Sequence, residues 1–328
     1  MANTRPDWGG PNADIDIHIE EHLGLVDSTF EYSSKLAPYV DIRSLRGTQT
    51  SRIDRLGDAT VSGRKAGEAL VATNPKQDKS LLVVDTTLYV RNTFDYFDDW
   101  TSSIVTRQDY GRNHGIALAK QFDVACLTQA MQCGDFIAPT HLQGAFHNGV
   151  VEQVTITNTP ASAEADAGLL SYAHRKSIEN LIDRDLGDQL YAEGICFVTP
   201  RVFTILLEHK YLTNVEYQGG GSGAGNNRAM GRIAYLNGIR VMETPRIPTA
   251  AVTSSPLGSD FLLTATQAKR EMITIIPSLA LHVAQVHGVA SRWWDNEEDF
   301  QNVLDTWQAY NIGKRRPDAV ALVEITGF

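Results

Sequence analysis

From Thr106 to Gln132 the chain reads TRQDYGRNHGIALAKQFDVACLTQAMQ, with no proline to interrupt it. Thr106 and Asp109 stand in the S/T-x-x-D/E relation, in which a hydroxyl and a carboxylate satisfy amide donors at a helix N-terminus. The spacing predicts a helix over 106–132, with Tyr110, Leu118, Phe122, Ala125 and Leu127 on a broad apolar stripe and Arg112, Lys120 and Gln121 away from it. Gly134 supplies the stop. About 26 residues at ~1.5 Å rise make a rod of roughly 39 Å, more than twice the usual globular helix. A rod of that length suits a scaffold better than an active-site wall. Gly111 and Gly115 weaken it by up to ~1 kcal/mol each relative to alanine, so they mark a close approach by another segment.

Around this helix lies a chain of 328 residues, long enough for a large core or two domains, with a formal net charge of −10. That charge argues against a protein whose main task is gripping nucleic acid through its phosphates, which needs a basic surface. A shell that must enclose DNA without adhering to it would tolerate this sign. The N-terminus has no basic region followed by an apolar one, so no secretory signal is expected, and no apolar run approaches the ~20 residues that span a bilayer. Cys126, Cys133 and Cys196 lack metal-ligand spacing. Cys126 and Cys133, a heptad apart on the long helix, read as small buried apolar residues, and a reducing compartment is expected.

Two motifs invite an enzymatic reading. His18-Ile-Glu-Glu21-His22 matches H-x-x-E-H, where two histidines on one helical face hold zinc and a glutamate activates water. It sits in a terminal segment ahead of any core, which favours the polar face of a short amphipathic helix over 15–26. Gly219, Gly220, Gly221, Gly223 and Gly225 lie in QGGGSGAGNNR, a loose G-x-G-x-x-A, but a strand pattern follows it where a dinucleotide fingerprint needs a helix. A surface loop near a symmetry axis is the expected meaning. Asp95, Asp98 and Asp99 lack the glycine and terminal glutamate of a calcium loop and read as solvated carboxylates. No paired carboxylates, nucleophile elbow or Ser/His/Asp grouping stands out as catalytic.

Residues 45–80 are rich in Gly, Thr, Arg, Lys and Asp. Strand-like runs at 50–56 and 68–73 flank a turn near 62–65 and predict a long β-hairpin with too few apolar residues to bury its own face. Such a hairpin must lie on something else, or else stay solvated. Arg52, Arg55, Arg64 and Lys65 make it basic in an acidic chain, so acidic surfaces such as 95–99 or 297–299 of another subunit are its expected partners. Leu81–Val90 predicts one strand. Beyond Gly134 the pattern alternates: a strand at 151–157, a helix at 167–186, a strand at 195–199, a helix from Pro200 to about Lys210, and a strand pair across Leu236-Asn237-Gly238. Strands follow at 261–264, 272–276 and 281–286, then a helical or extended piece at 301–309 and a closing strand at 319–325. The segment from 261 onward is expected to pack against the long helix and the Leu81–Val90 strand. The fold class is α+β.

Three stretches in order carry a resemblance: VDTTLYVRNTFDYFDDW leading to YGRNHGIALAKQFDVA with Tyr110 and Gly115, LNGIRVMETPRIP with Gly238 to Pro245, and GKRRPDAVALVEI with Arg316 to Val320. Over roughly residues 20–328 the chain resembles the major capsid proteins of short-tailed, podovirus-type phages. The resemblance implies the Hong Kong 97-type fold: an N-terminal arm over 1–44, an extended loop over 45–80, a peripheral domain over 81–134 and 261–328 with the spine helix 106–132, and an axial domain over 135–260. It also implies a structural role with no enzymatic activity and no cofactor. Copies would assemble as hexamers and pentamers on a scaffolding protein in the host bacterial cytoplasm. A portal would occupy one vertex of the virion shell, and double-stranded DNA would touch its inner face loosely. An encapsulin-type nanocompartment is the nearest alternative, and a zinc hydrolase built on His18, Glu21 and His22 the remote one. Lys65 lies in the loop that carries cross-linking lysines in one branch of the fold, but no matched glutamate or partner asparagine accompanies it. A non-covalent shell is therefore implied.

Overall fold

A computed structural model describes residues 29–30, 33–70, 72, 74–95, 104–210 and 233–328, with side chains in the first helix from Tyr110 onward. The His18–His22 motif, Asp98, Asp99 and the glycines from Gly219 to Gly225 lie outside the described residues. The chain begins with β1 (Asp41–Ser44), β2 (Thr50–Leu56), β3 (Gln77–Val83) and β4 (Leu88–Asp95), then enters α1 (Ile104–Gln132). There follow β5 (Val150–Thr155), α2 (Ala163–Ile182), α3 (Gly187–Glu193), β6 (Ile195–Val198), α4 (Pro200–Leu206), β7 (Tyr235–Leu236) and β8 (Ile239–Glu243). The remainder comprises β9 (Arg270–Ile275), a short α5 (Pro277–Ala280), β10 (Leu281–Asn296), β11 (Gln301–Lys314) and β12 (Val320–Thr326).

At 29 residues α1 is ~44 Å long at 1.5 Å rise per residue. It includes Ile104 and Val105, so Thr106 and Asp109 lie inside its first turns instead of capping it. The stripe residues Leu118, Phe122, Ala125 and Leu127 are buried as expected, but so are Ala119, Cys126, Ala130 and Met131 on other faces. From Phe122 to Met131 the helix is buried nearly all round, as a core element is, and it contacts strands of both sheets. Gly134 ends it for a different reason from a left-handed cap: a Cβ there would lie 2.5 Å from Val151 Cγ2 and 2.8 Å from Leu322 Cδ1. Only a glycine lets the helix end sit against β5 and β12.

One sheet has the order β1-β10-β11-β4, the other β5-β12-β9-β6-β8-β7. In the first, β1 runs parallel to β10, and the β10–β11 and β11–β4 pairs are antiparallel. In the second, β12 lies parallel to β5 and antiparallel to β9, while β6 lies antiparallel to β9 and parallel to β8. The segment after 261 is thus divided between two sheets, correcting the expectation that all of it packs beside α1 and β4. β10 and β11 do so; β9 and β12 form the middle of the six-stranded sheet, fully buried along their apolar residues.

Further details bear on the sequence reading: the strand expected at 261–264 is a short 3-10 turn over Ser259–Phe261 followed by a single bridge from Leu263 to Val252. The hairpin partner of β2 is β3, with Thr50 opposite Val83 and Leu56 opposite Gln77, and not the 68–73 run. The predicted Leu81–Val90 strand is two strands, separated at Asp85, whose Oδ1 accepts from Thr86 Oγ1 at 2.9 Å. The piece at 301–309 is extended, part of the 14-residue β11. The Asn-Gly turn is as expected: Asn237 (φ 49°) and Gly238 (φ 86°) link β7 to β8 in the left-handed region that a tight hairpin turn demands.

Candidate inter-subunit surfaces

The segments read as arm and hairpin are each fastened to the body of the molecule at a definable point. The arm is held by Asp123, 1% exposed in the middle of α1. Its Oδ1 accepts from Ser34 Oγ at 2.6 Å and from the Leu36 amide at 3.3 Å; its Oδ2 accepts from the Lys35 amide at 2.8 Å and from the Arg246 guanidinium. Lys35 Nζ adds a bond to the Glu243 carbonyl at 2.7 Å. A buried carboxylate is tolerated because every one of these donors faces it. Leu36 and Val40 then bury beside it, and Phe30, Phe122 and Tyr310 stack edge to face, with centroids 5.8 and 5.2 Å apart.

The hairpin has two unlike faces. Towards the body, Ile53 is buried, Ile53 and Leu82 close on Gly313, Asn311 Nδ2 donates to the Val83 carbonyl at 2.6 Å, and Arg55 Nη2 donates to the Lys314 carbonyl at 3.1 Å. Away from it, Leu56, Leu81 and Val83 are exposed on the ladder, and Val61 (96%) and Leu70 (81%) stand almost fully in solvent in the connecting loop. That uncovered apolar surface belongs to an element with no core of its own. Of the four basic residues expected to face a neighbour, Arg52 pairs with Asp54 at the surface, and Arg55 is turned inward over the Phe136 ring at 5.6 Å. Arg64 and Lys65 lie in the exposed loop, where Arg64 Nε donates to the Glu68 carbonyl and the Lys65 amide donates to Glu68 Oε2 at 3.2 Å.

At the far end of the four-stranded sheet, Asp95 pairs in register with Gln301, which follows the exposed acidic turn Glu297-Glu298-Asp299. The acidic surfaces near 95 and 297–299 therefore form a single corner. Phe300, 70% exposed at φ 54°, projects from it. Behind the corner, Arg91 Nε bonds Asp305 Oδ1 at 2.5 Å, and Trp294 Nε1 donates to Asp305 Oδ2 at 3.1 Å. The Arg91 bonds hold the Asp305 carboxyl below its ordinary range against the cost of burial.

The signature residues have structural work to do. Tyr110 packs edge-on against Phe94 at 4.8 Å, tying α1 to β4. Asp318, fully buried, accepts from Arg316 Nε at 3.2 Å and from the His147 amide at 3.3 Å, while Arg184 Nη1 donates to its carbonyl at 2.8 Å. Burial pushes the Cys133 and Cys196 thiols up to about 12 and Cys126 well above its usual value, so none supplies a thiolate. Among the described residues no group of three or more His, Cys, Asp or Glu side chains could hold a metal ion. Sequence reasoning missed Asp123 and Arg246. The available signal was an acid inside the apolar run Phe122 to Leu127, where an unpaired charge could not stay.

No family model and no curated protein matches the chain. Among solved structures, it is similar to the asymmetric unit of the bacteriophage PhiM1 mature capsid, with 34% identity, a TM-score of 0.80, and coverage of 100% of this chain and 98% of that one. The chain belongs to the major capsid proteins of tailed phages. The capsid of cyanophage P-SCSP1u is similar in fold at 14% identity and TM-score 0.73, covering 88% of this chain and 87% of its own. A virus-like particle from Pyrococcus furiosus shares the fold more distantly, at 10% identity and TM-score 0.53, covering 94% and 99%. As a major capsid protein the chain is a structural subunit of a viral shell and resides in the virion, and its arm and hairpin are surfaces of such a subunit.

Proposed function

We propose that this capsid subunit is of the short-tailed-phage type and divides as a Hong Kong 97-type protein. Residues 1–44 are the arm, 45–80 the extended loop, 81–134 with 261–328 the peripheral domain, and 135–260 the axial domain that meets its copies around hexamer and pentamer axes, with β9 and β12 from the 261–328 segment completing the axial six-stranded sheet. Support comes from the hairpin, which leaves Leu56, Leu81, Val83, Val61 and Leu70 uncovered while its other face is fastened to β10 and β11. Surface of that kind is buried when a neighbouring copy lies against it. Arg52, Arg64 and Lys65 are the hairpin's contacts with that neighbour, with Arg55 shaping its base. Gly219, Gly220, Gly221, Gly223 and Gly225 crowd the axis.

In this reading the shell assembles in the host bacterial cytoplasm on a scaffolding protein, takes a portal at one vertex and encloses double-stranded DNA. The net charge of −10 supports loose inner-face contact in place of tight binding. The subunit is not an enzyme. Expression with and without a co-expressed scaffolding protein, followed by negative-stain electron microscopy, tests the reading. Icosahedral shells or hexamer sheets are expected; a small monodisperse oligomer under both conditions overturns it. Cargo-loaded shells without a portal would point to an encapsulin-type compartment. Stoichiometric zinc lost in H22A would point to the hydrolase.

A further inference from the structure

A cleft of about 560 Å³ opens where the arm passes the β7 edge of the six-stranded sheet. Tyr39 of the arm, Tyr191 of α3 and Tyr235 of β7 line it together with Pro38 and Pro277. Tyr191 and Tyr235 are more than half exposed. Two opposite charges stand among the rings. Arg240 is the ladder partner of both Tyr235 and Ile195, so it holds the middle of a row across β7, β8 and β6. Its Nη1 donates to the Tyr39 hydroxyl at 3.0 Å. Glu193, just ahead of β6, accepts from Ser278 Oγ through Oε2 at 2.6 Å. Both charged side chains are exposed, and each has polar atoms beyond the one used in these bonds. We propose that this cleft docks residues 4–8 of its own chain, Thr-Arg-Pro-Asp-Trp, with Arg5 against Glu193, Asp7 against Arg240, and Pro6 and Trp8 on the tyrosine rings.

Aromatic-lined clefts take extended, proline-containing segments, whose backbone is already restricted and so loses less entropy on docking. Pro6 fixes its own φ and biases Arg5 towards extended backbone. An extended chain sends Arg5 and Asp7 to one side and Pro6 and Trp8 to the other, so a segment lying in a cleft uses both sets. At ~3.3 Å rise per residue the two charges stand ~6.6 Å apart, and their signs oppose those of Glu193 and Arg240 one for one. Within residues 1–28, which lie outside the described residues, Arg5 is the one lysine or arginine and Trp8 the one tryptophan. The tether allows the return. Thr29 and Tyr39 are ten residues apart and therefore no more than ~36 Å from each other, whereas the twenty residues 9–28 span up to ~66 Å. A tether also makes the contact intramolecular and raises the effective concentration of the segment at its own cleft above that of the segment on a free second copy.

The contact is tested on the unassembled full-length subunit, so it can fail while the shell reading stands, and the reverse. The photo-crosslinker p-benzoylphenylalanine takes the place of Trp8, and the crosslinked peptides are mapped by mass spectrometry after irradiation at low salt. Crosslinks within one chain, to 191–195, 235–240 or 277–278, are expected. D7R sets like charges together and should cut their yield by about threefold, the scale of one exposed ion pair. R240D should do the same, and D7R combined with R240D should recover the yield. Both positions lie away from the buried core, and a urea midpoint matching wild type checks that each variant is folded. Hydrogen exchange of the wild-type subunit, with no side chain replaced, gives the second reading: residues 4–8 should be protected, and D7R should lower that protection by about threefold. Crosslinks that land elsewhere or join two chains overturn the proposal, as do an unprotected segment in wild type and a double variant that recovers nothing.

Discussion

Asp123 sits beside Phe122 in the most buried part of α1, and four donors from two separate segments, 34–36 and Arg246, converge on it. Removing it strands more than one hydrogen bond. Arg246 is 14% exposed at its side chain and would keep its charge with no partner, and the Ser34 hydroxyl and two arm amides would lose their acceptor. Breaking one side of a buried pair in this way costs about 3–5 kcal/mol. D123A should therefore lower the unfolding free energy of the unassembled subunit by that amount, read as a lower urea midpoint, and free residues 34–37 to limited proteolysis. R52A serves as the contrast: its pair with Asp54 has both side chains about 60% exposed, and removing it should change stability by less than ~1 kcal/mol. Equal losses in the two variants would show that Asp123 is no anchor. Neither residue's importance follows from charge alone. Burial decides it, and burial at 123 depends on the arm folding back across α1, a contact 88 residues away in sequence that no local pattern encodes.

At the scale of elements, signals that are local in sequence were legible and those set by pairing were not. The length of α1 and the Asn237-Gly238 turn could be read because periodicity and left-handed turn chemistry are local. The hairpin partner was misplaced because 68–73 and 77–83 are both moderately apolar. What selects 77–83 is the body-facing contact of Leu82 with Gly313, invisible until β11 is in place. The assignment of β9 and β12 to the six-stranded sheet was likewise hidden, since a continuous apolar run announces burial without naming neighbours. The turn gives a clean test. Gly238 adopts φ 86°, and a Cβ there would approach Tyr191 Cε1 to 3.1 Å, so G238A combines backbone strain with a tight contact. A loss of about 1–2 kcal/mol is expected, read as a lower thermal midpoint of the isolated subunit. An unchanged midpoint would mean that the β7–β8 edge contributes nothing to the stability of the six-stranded sheet.

For the molecule as a whole, the candidate contacts were read from composition, and the structure separates those with charge to offer a neighbour from those already used. Arg55 is spent on its own chain at the Lys314 carbonyl and the Phe136 ring, whereas Arg64 and Lys65 stand in the exposed loop beyond the hairpin. The complementary feature is the acidic corner of Asp95 and Glu297-Glu298-Asp299, carried at the opposite end of the long β10–β11 ribbon. A basic tip and an acidic corner on one subunit, too far apart to neutralise each other, favour head-to-tail contacts between copies, and such contacts close into rings when the rotation allows. R64E combined with K65E reverses the tip and takes the formal charge from −10 to −14, since each change removes one positive and adds one negative charge. The side chains are exposed, so the subunit should unfold within ~0.5 kcal/mol of wild type. Particles should nevertheless be absent at low salt. R64A with K65A, which removes attraction without adding repulsion, should assemble more slowly but still assemble. Because exposed charges more than ~8 Å apart are largely screened at physiological ionic strength, raising the salt towards ~1 M should restore some assembly in the glutamate pair. Sedimentation and negative-stain microscopy read both. Normal particles from R64E/K65E at low salt would remove charge from the account of how the hairpin finds its neighbour, leaving the apolar stripe of Leu56, Leu81 and Val83 to do so alone.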